Sequence, residues 1–296
     1  QSERWQELAP LPEPRVGMAA VAYSGEIYVI GGEGPEGVSG KGFRYVPETD
    51  EWLPIAEKPT PVTDISAVVI GEKIYVPGGE GVNGQPIDTL EIYDPRQDSW
   101  EEGVPLPEAL SAYALADFEG KVYLFGGWDG EKARDSVWVY EPAEDGWRAG
   151  TQLAQPLYDA TAVALTDRIV VLGGREDNRS SSATWSYFPS RDVANGSPWE
   201  RFVDLPEARY GFGAASIYDS IYLLGGEVKG RGELGLFIAD DAWVSLPVID
   251  EIVGWNVDVV TLDSELFVID PAADLENTKA WIYQAFYYSI YIPFVP

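Results

Sequence analysis

Short apolar runs punctuate the chain in a fixed order. In the first repeat the small run Met18-Ala19-Ala20-Val21-Ala22-Tyr23 meets a turn at Ser24-Gly25, and the run Ile27-Tyr28-Val29-Ile30 follows it and stops on Gly31-Gly32. Two runs this short and this close predict a hairpin. A polar loop leads to a third run ending in an aromatic, as in Phe43-Arg44-Tyr45, Leu90-Glu91-Ile92-Tyr93 and Val137-Trp138-Val139-Tyr140. Seven residues beyond that aromatic stands a tryptophan, which opens a short fourth strand. The second runs are apolar throughout, without alternation to polar residues, so both faces of each sheet are expected to be buried.

The order repeats. Glycine pairs stand at Gly31-Gly32, Gly78-Gly79, Gly126-Gly127, Gly173-Gly174 and Gly225-Gly226, at intervals of 47, 48, 47 and 52 residues. Trp5, Trp52, Trp100, Trp147, Trp199 and Trp243 follow at 47, 48, 47, 52 and 44. An insertion lengthens both intervals together, which marks an array of equal units rather than two unrelated domains. The first run of each unit is its smallest, with Ala19-Ala20, Ala67, Ala112, Ala114, Ala160, Ala162 and Ala214-Ala215. Blades arranged radially crowd their innermost strands at the axis and leave room for tryptophan at the rim.

The glycine doublet, the aromatic before an acid and proline (Tyr93-Asp94-Pro95, Tyr140-Glu141-Pro142) and the spaced tryptophan together resemble the motif of the Kelch family, in the galactose oxidase and Kelch-like propeller superfamily. The resemblance covers nearly the whole chain. It implies an all-β, six-bladed β-propeller of four-stranded antiparallel blades. In the last unit Asp270-Pro271 replaces the doublet, and Trp281-Ile282-Tyr283 supplies the third strand. Trp5 precedes any first strand and is assigned to the fourth strand of that last blade, which gives one propeller over residues 1–285. Ile290 lies seven residues past Tyr283 and competes for the same slot; residues 286–296 are otherwise read as an added edge strand or a tail.

Charge narrows the partners. With 49 acidic against 20 basic residues, a formal net charge of −29 argues against nucleic acid and anionic membranes. It leaves plain solubility or a cationic partner as readings. No apolar run approaches the ~18–20 residues that span a bilayer. The chain starts at Gln1, as expected of a mature or trimmed product. Its aromatic tail resembles terminal segments of exported bacterial proteins, so an extracytoplasmic location, secreted or periplasmic, is expected. Asn178-Arg179-Ser180 has the form of an N-glycosylation sequon and is read as chance.

With no histidine and no cysteine, the chain has no imidazole base, thiolate, Ser-His-Asp triad or nitrogen/sulfur metal site. That excludes the copper-oxidase and iron-dependent relatives of the Kelch family, both of which need histidine. No Asp-x-Asp-x-Asp-Gly loop supports calcium. Neither a catalytic residue, a metal nor a cofactor is therefore expected.

Binding remains, and loops converging on a rigid frame are its usual seat. Counting sixteen residues back from each doublet reaches the turn into the inner strand: Arg15, Val62, Leu110, Leu157 and Arg209, with Gly254 in the last unit. Neighbours add Asp64, Ser111, Tyr113, Tyr158, Asp159, Tyr210, Trp255 and Asn256, and the loops after the doublets add Glu33, Glu80, Trp128, Arg175 and Glu227. From these the candidate site is Arg15, Glu33, Asp64, Glu80, Ser111, Trp128, Tyr158, Arg175, Arg209, Tyr210 and Trp255. In Kelch interaction domains such loops resemble peptide readers whose arginines grip acids, so Arg15 and Arg209 are expected to clamp a carboxylate. Each has a scaffold alternative: the arginine of Arg-x-Gly equally satisfies carbonyls of the next blade. Trp128 and Trp255 lie off the tryptophan period and are the aromatics expected to be exposed for stacking. The expected function is a non-enzymatic propeller that recognises a protein, peptide or small anionic ligand. The alternatives are a periplasmic sugar enzyme resembling sialic acid mutarotases, with carbohydrate binding through an acid and an arginine, or a structural subunit of an exported assembly.

Overall fold

The computed structural model describes residues 4–177, 179–194, 196–228, 235–239, 241–248, 254–271 and 277–285. Six sheets of four antiparallel strands are present. Blade one runs from the axis outward through Ala19–Tyr23, Glu26–Ile30, Gly42–Val46 and Glu51–Ile55. The inner strands of blades two to six are Val68–Ile70, Ala114–Phe118, Thr161–Ala164, Arg209–Ile217 and Asp258–Leu262. Helical structure is limited, among the described residues, to 3-10 turns at Arg4 and at Pro189–Arg191. The core lies between blades: blade three's Tyr123, Phe125 and Val139 pack on blade four's Leu157, Ile169 and Tyr187, and every neighbouring pair forms such a wedge. Burying side chains of this size stabilises by about 1.5–3 kcal/mol each.

The doublets are the inner seam. The second glycine donates its N–H to a carbonyl of the next blade: Gly32 to Val62 at 2.8 Å, Gly79 to Leu110 at 2.8 Å, Gly127 to Leu157 at 2.8 Å and Gly174 to Arg209 at 3.0 Å. The first glycine holds a left-handed φ, +69° at Gly31 and +60° at Gly173, and a Cβ there would stand 2.8 Å from the Val62 oxygen or 2.7 Å from that of Arg209. Any side chain would push the blades apart.

A second seam joins the outer edges. The Trp52 indole donates to the Ala9 carbonyl at 2.8 Å, Trp100 to Ala56 at 2.8 Å, Trp147 to Val104 at 2.9 Å, Trp199 to Thr151 at 3.0 Å and Trp243 to Val203 at 3.1 Å. Beneath Trp52, Trp100, Trp147 and Trp199 lies the third-strand tyrosine, whose hydroxyl donates to an aspartate five residues on: Tyr45 to Asp50 at 2.7 Å, Tyr93 to Asp98 and Tyr140 to Asp145 at 2.6 Å, and Tyr187 to Asp192; Trp243 stands opposite Ile238 instead. The same aspartates accept backbone N–H bonds from the preceding blade, Ala9 to Asp50 at 2.8 Å and Ala56 to Asp98 at 2.6 Å. The sequence period is thus the period of an inter-blade clip.

Ring closure uses both seams. The strand Trp5–Leu8 pairs with Thr278–Gln284, Trp5 opposite Tyr283, and the Trp5 indole donates to the Pro247 carbonyl of blade five at 3.0 Å. The amino-terminal strand closes blade six, as its tryptophan predicts. Residues 286–296, assigned to an edge strand or tail, lie outside the described residues, as does Asn178 of the sequon. Blade six has no glycine pair, and the Thr278 hydroxyl takes its place: it accepts from the Arg15 N–H at 3.1 Å and reaches the Arg15 carbonyl at 3.4 Å.

Candidate functional site at the channel mouth

Two residues past each seam carbonyl the chain turns left-handed beside the axis. The six residues that do so are Gly17 (φ 64°), Asp64 (51°), Ala112 (50°), Asp159 (52°), Gly211 (63°) and Asn256 (54°). Their backbones link from blade to blade, with N–H to C=O distances of 2.8 Å from Ala112 to Asp64, 2.8 Å from Asp159 to Ala112, 3.2 Å from Gly211 to Asp159 and 2.9 Å from Asn256 to Gly211. This ring frames the mouth of the axial channel, and its side chains alternate between nothing, methyl, amide and carboxylate.

Around the ring stands a rim. In each of blades one to five, the residue before the ring pairs with the residue after the doublet: Val16 with Glu33, Thr63 with Glu80, Ser111 with Trp128, Tyr158 with Arg175 and Tyr210 with Glu227. The two loop sets predicted to be near one another are therefore bonded together at one end of the propeller. Glu33, Asp64, Glu80, Ser111, Trp128, Tyr158, Arg175, Tyr210 and Trp255 all belong to this mouth; Ser111 is buried and contributes backbone only.

Arg15 and Arg209 do not reach it, which corrects the expected carboxylate clamp. They are 2% and 1% exposed. Arg15 donates to the carbonyls of Gly31 and Lys41, both at 2.9 Å, pairs with Glu13 at 3.0 Å and lies 5.2 Å from the Phe43 ring centroid. Arg209 donates to the Gly225 carbonyl at 3.0 Å. The position is buried in every described blade of the first five, Val62, Leu110 and Leu157 included, so the arginine there points into its own blade, where it holds the end of the second strand.

Arg175 is the arginine at the mouth. Its guanidinium sits between two tyrosines, 4.6 Å from the Tyr158 centroid and 4.3 Å from that of Tyr210, with Nε 2.7 Å from the Asp159 carboxylate. Tyr158 also meets the Trp128 ring at 5.1 Å, and the Tyr210 hydroxyl donates to Glu227. Trp128, Tyr158, Arg175, Tyr210 and Glu227 thus form one continuous band over blades three to five. Trp255 stands 46% exposed on blade six, its indole nitrogen 3.5 Å from where a Cβ on Gly211 would lie. Of the two tryptophans expected to be exposed, Trp255 is open and Trp128 is half-buried against Tyr158.

Below the ring the channel is narrow. A cavity of about 100 Å³ at the mouth continues into one of about 290 Å³, sharing Ser66, Thr161, Phe212, Val257 and Asp258 along their walls. Desolvation lifts the Asp64 carboxyl to about 7, helped by the nearby carboxylates of Asp159, Glu80 and Glu33 and opposed by Arg175. Asp159 is also raised by burial, with Arg175 pulling it back. Asp258, absent from the sequence-derived site, is raised to about 8 by desolvation. Its signal was in the sequence: the first strands carry Ala19, Ser66, Ala114, Thr161 and Gly213 at this register, and only blade six puts a charge there.

A family model described as Attractin/LZTR1 beta-propeller matches residues 1–195. Among curated relatives, Kelch repeat and BTB domain-containing protein 12 of Danio rerio is 30% identical over 142 residues, 46% of this chain and 16% of that protein. Kelch-like protein 35 of Mus musculus is 27% identical over 129 residues, 43% of this chain and 21% of the relative. The chain thus spans well under half the length of the curated relatives it matches. The solved structure of YjhT superposes with a TM-score of 0.77 over 92% of this chain and 95% of its own, at 15% identity, which shows a shared fold.

Proposed function

The chain belongs to the Attractin/LZTR1 beta-propeller family, and from that premise we propose that it is a binding module that recognises a protein segment through the channel mouth. One observation carries this reading. Five blades use the same backbone bridge to bring two loops to the mouth, yet the paired side chains differ in every blade: Val16/Glu33, Thr63/Glu80, Ser111/Trp128, Tyr158/Arg175 and Tyr210/Glu227. A rigid frame presenting unlike side chains at one end is what recognition of an extended partner needs. The two contiguous channel cavities, about 100 and 290 Å³, stand together at the low end of the about 300–1,000 Å³ typical of small-molecule sites; the side-chain variety lies at the rim, and contact is assigned there.

Selection of a displayed random-peptide library on the wild-type protein, counter-selected on Tyr158→Ala and Tyr210→Ala, tests the proposal. Peptides enriched on the wild type and lost on both variants support it; enrichment that survives both changes refutes it.

A second reading, a sugar enzyme, is favoured by one feature. Arg175 and Asp159 face each other at 2.7 Å beside Asp64, whose pKa of about 7 suits proton transfer near neutrality. Acceleration of anomeric exchange in N-acetylneuraminic acid, lost in Asp64→Asn, would establish that reading in place of the first.

A further inference from the structure

We propose that the partner segment is basic, and that its lysine or arginine side chains dock on the aromatic and acidic band of the rim; this rests on the protein-binding reading above. The molecule carries a net charge of −29. At the mouth, among the described residues, Glu33, Glu80, Asp64, Asp159 and Glu227 stand beside one ring-side cation, Arg175, which is already paired with Asp159. The described loops after the doublets carry four further cations: Lys41, paired with Glu13; Arg134, paired with Asp129 and Glu108; Lys132; and Arg179. An acidic guest would meet this field with one committed arginine at the ring. A basic guest is drawn in by it.

The rim also shows how it holds a cation. Arg175 lies over two tyrosine faces with a carboxylate on its edge, the arrangement that favours guanidinium and ammonium groups. A further aromatic stands next along the ring: Trp255 lies beside Gly211, the residue after Tyr210, and the Glu227 carboxylate accepts from the Tyr210 hydroxyl. Trp255 is 46% exposed there. Val82, 73% exposed on the blade-two loop, extends the surface with an apolar contact. Aromatic faces, carboxylates and a large negative field converge on one guest chemistry, a segment in which basic residues alternate with small or apolar ones.

Three length-matched synthetic peptides test this: one with arginine and lysine spaced by glycine, one with citrulline and acetyl-lysine at those positions, one with glutamate. Binding is followed by tryptophan fluorescence and calorimetry. The basic peptide should bind at least about tenfold more tightly than the neutral one, the loss expected when a cation leaves aromatic faces, and the glutamate peptide should not bind. Affinity should fall as salt rises from about 0.05 to 0.3 M. Trp255→Ala and Tyr210→Ala should each weaken the basic peptide by about tenfold with an unchanged melting temperature. Equal binding of basic and neutral peptides overturns the charge assignment and leaves protein binding standing. No binding of the basic peptide at millimolar concentration also overturns it, and the library selection decides separately whether the face binds peptides at all.

Discussion

The seam between blades and the mouth above it are built from neighbouring residues and obey opposite rules. At the seam the same atoms recur: a glycine N–H meets a carbonyl in Gly32/Val62, Gly79/Leu110, Gly127/Leu157 and Gly174/Arg209, and an indole meets a carbonyl from Trp52/Ala9 to Trp243/Val203. At the mouth, two residues away, the backbone recurs but no two blades present the same pair of side chains, although Glu returns at 33, 80 and 227 and Tyr at 158 and 210. Repetition marks what every blade needs in order to touch the next, and departure from the repeat marks what the ring presents outward. Arg15 and Arg209 recur on the same spacing and are scaffold; Arg175, which occurs once, is at the mouth.

The comparison can be broken most severely at the ring closure. Removing residues 1–8 takes away the strand paired with Thr278–Gln284 and the Trp5 clip to blade five, leaving an open edge. The expected outcome is loss of the cooperative melting transition and aggregation on gel filtration. Next in size is Gly126→Val, whose side chain would press on the Leu157 and Arg134 carbonyls at a φ of +61°. We expect a destabilisation of about 3 kcal/mol or more by chemical denaturation. An unchanged midpoint would remove Gly126 from the seam.

The two kinds of arginine sharpen the comparison. Arg15→Met should cost about 2–3 kcal/mol, because the Gly31 and Lys41 carbonyls lose a buried donor. Arg175→Met should cost at most about 1 kcal/mol, since that ion pair is partly exposed. Reversal of this order in denaturant melts would place Arg175 in the scaffold.

The smallest effect concerns pH. Asp258 and Asp64 titrate at about 8 and about 7 in the folded protein, above the ordinary carboxylate value near 4. The folded state therefore holds these protons more tightly than the unfolded chain, and stability falls as pH rises from about 4 to about 8. Asp258→Asn should raise the melting temperature at about pH 8.5 and change it little at about pH 4. An equal gain at both values would show that the channel carboxyl is not the titrating group.

Much of the fold was legible because the seams of blades one to five use the same residue types at the same places. Glycine alone tolerates a left-handed φ against a carbonyl, and tryptophan alone carries an indole donor far enough to clip the neighbouring blade. Trp5 alone, on that rule, placed the amino-terminal strand in blade six. Other features were hidden. The replacement of the last doublet by the Thr278 hydroxyl needs two strands distant in sequence to meet. Lys58 stands where other blades carry Leu11, Leu106, Leu153 and Leu205, yet is fully buried because Glu91 and the Thr60 carbonyl receive its ammonium. At the site, counting from the doublets found the rim loops but not the direction of their side chains. Arg15 and Arg209 occupy a position that is buried in the other blades as Val62, Leu110 and Leu157, and Asp258 is the one charge at its register of the inner strands.

The claim that repeated positions hold the ring and unrepeated ones meet the partner is tested most directly by two tryptophans. Melting temperature and affinity for the basic peptide should be measured side by side for Trp100→Leu, which removes an outer clip, and Trp255→Ala, which strips the rim. The account predicts that Trp100→Leu lowers the melting temperature by several degrees with unaltered affinity, while Trp255→Ala leaves melting unaltered and weakens binding about tenfold. The opposite pattern, with Trp255 stabilising the fold and Trp100 governing affinity, would contradict it.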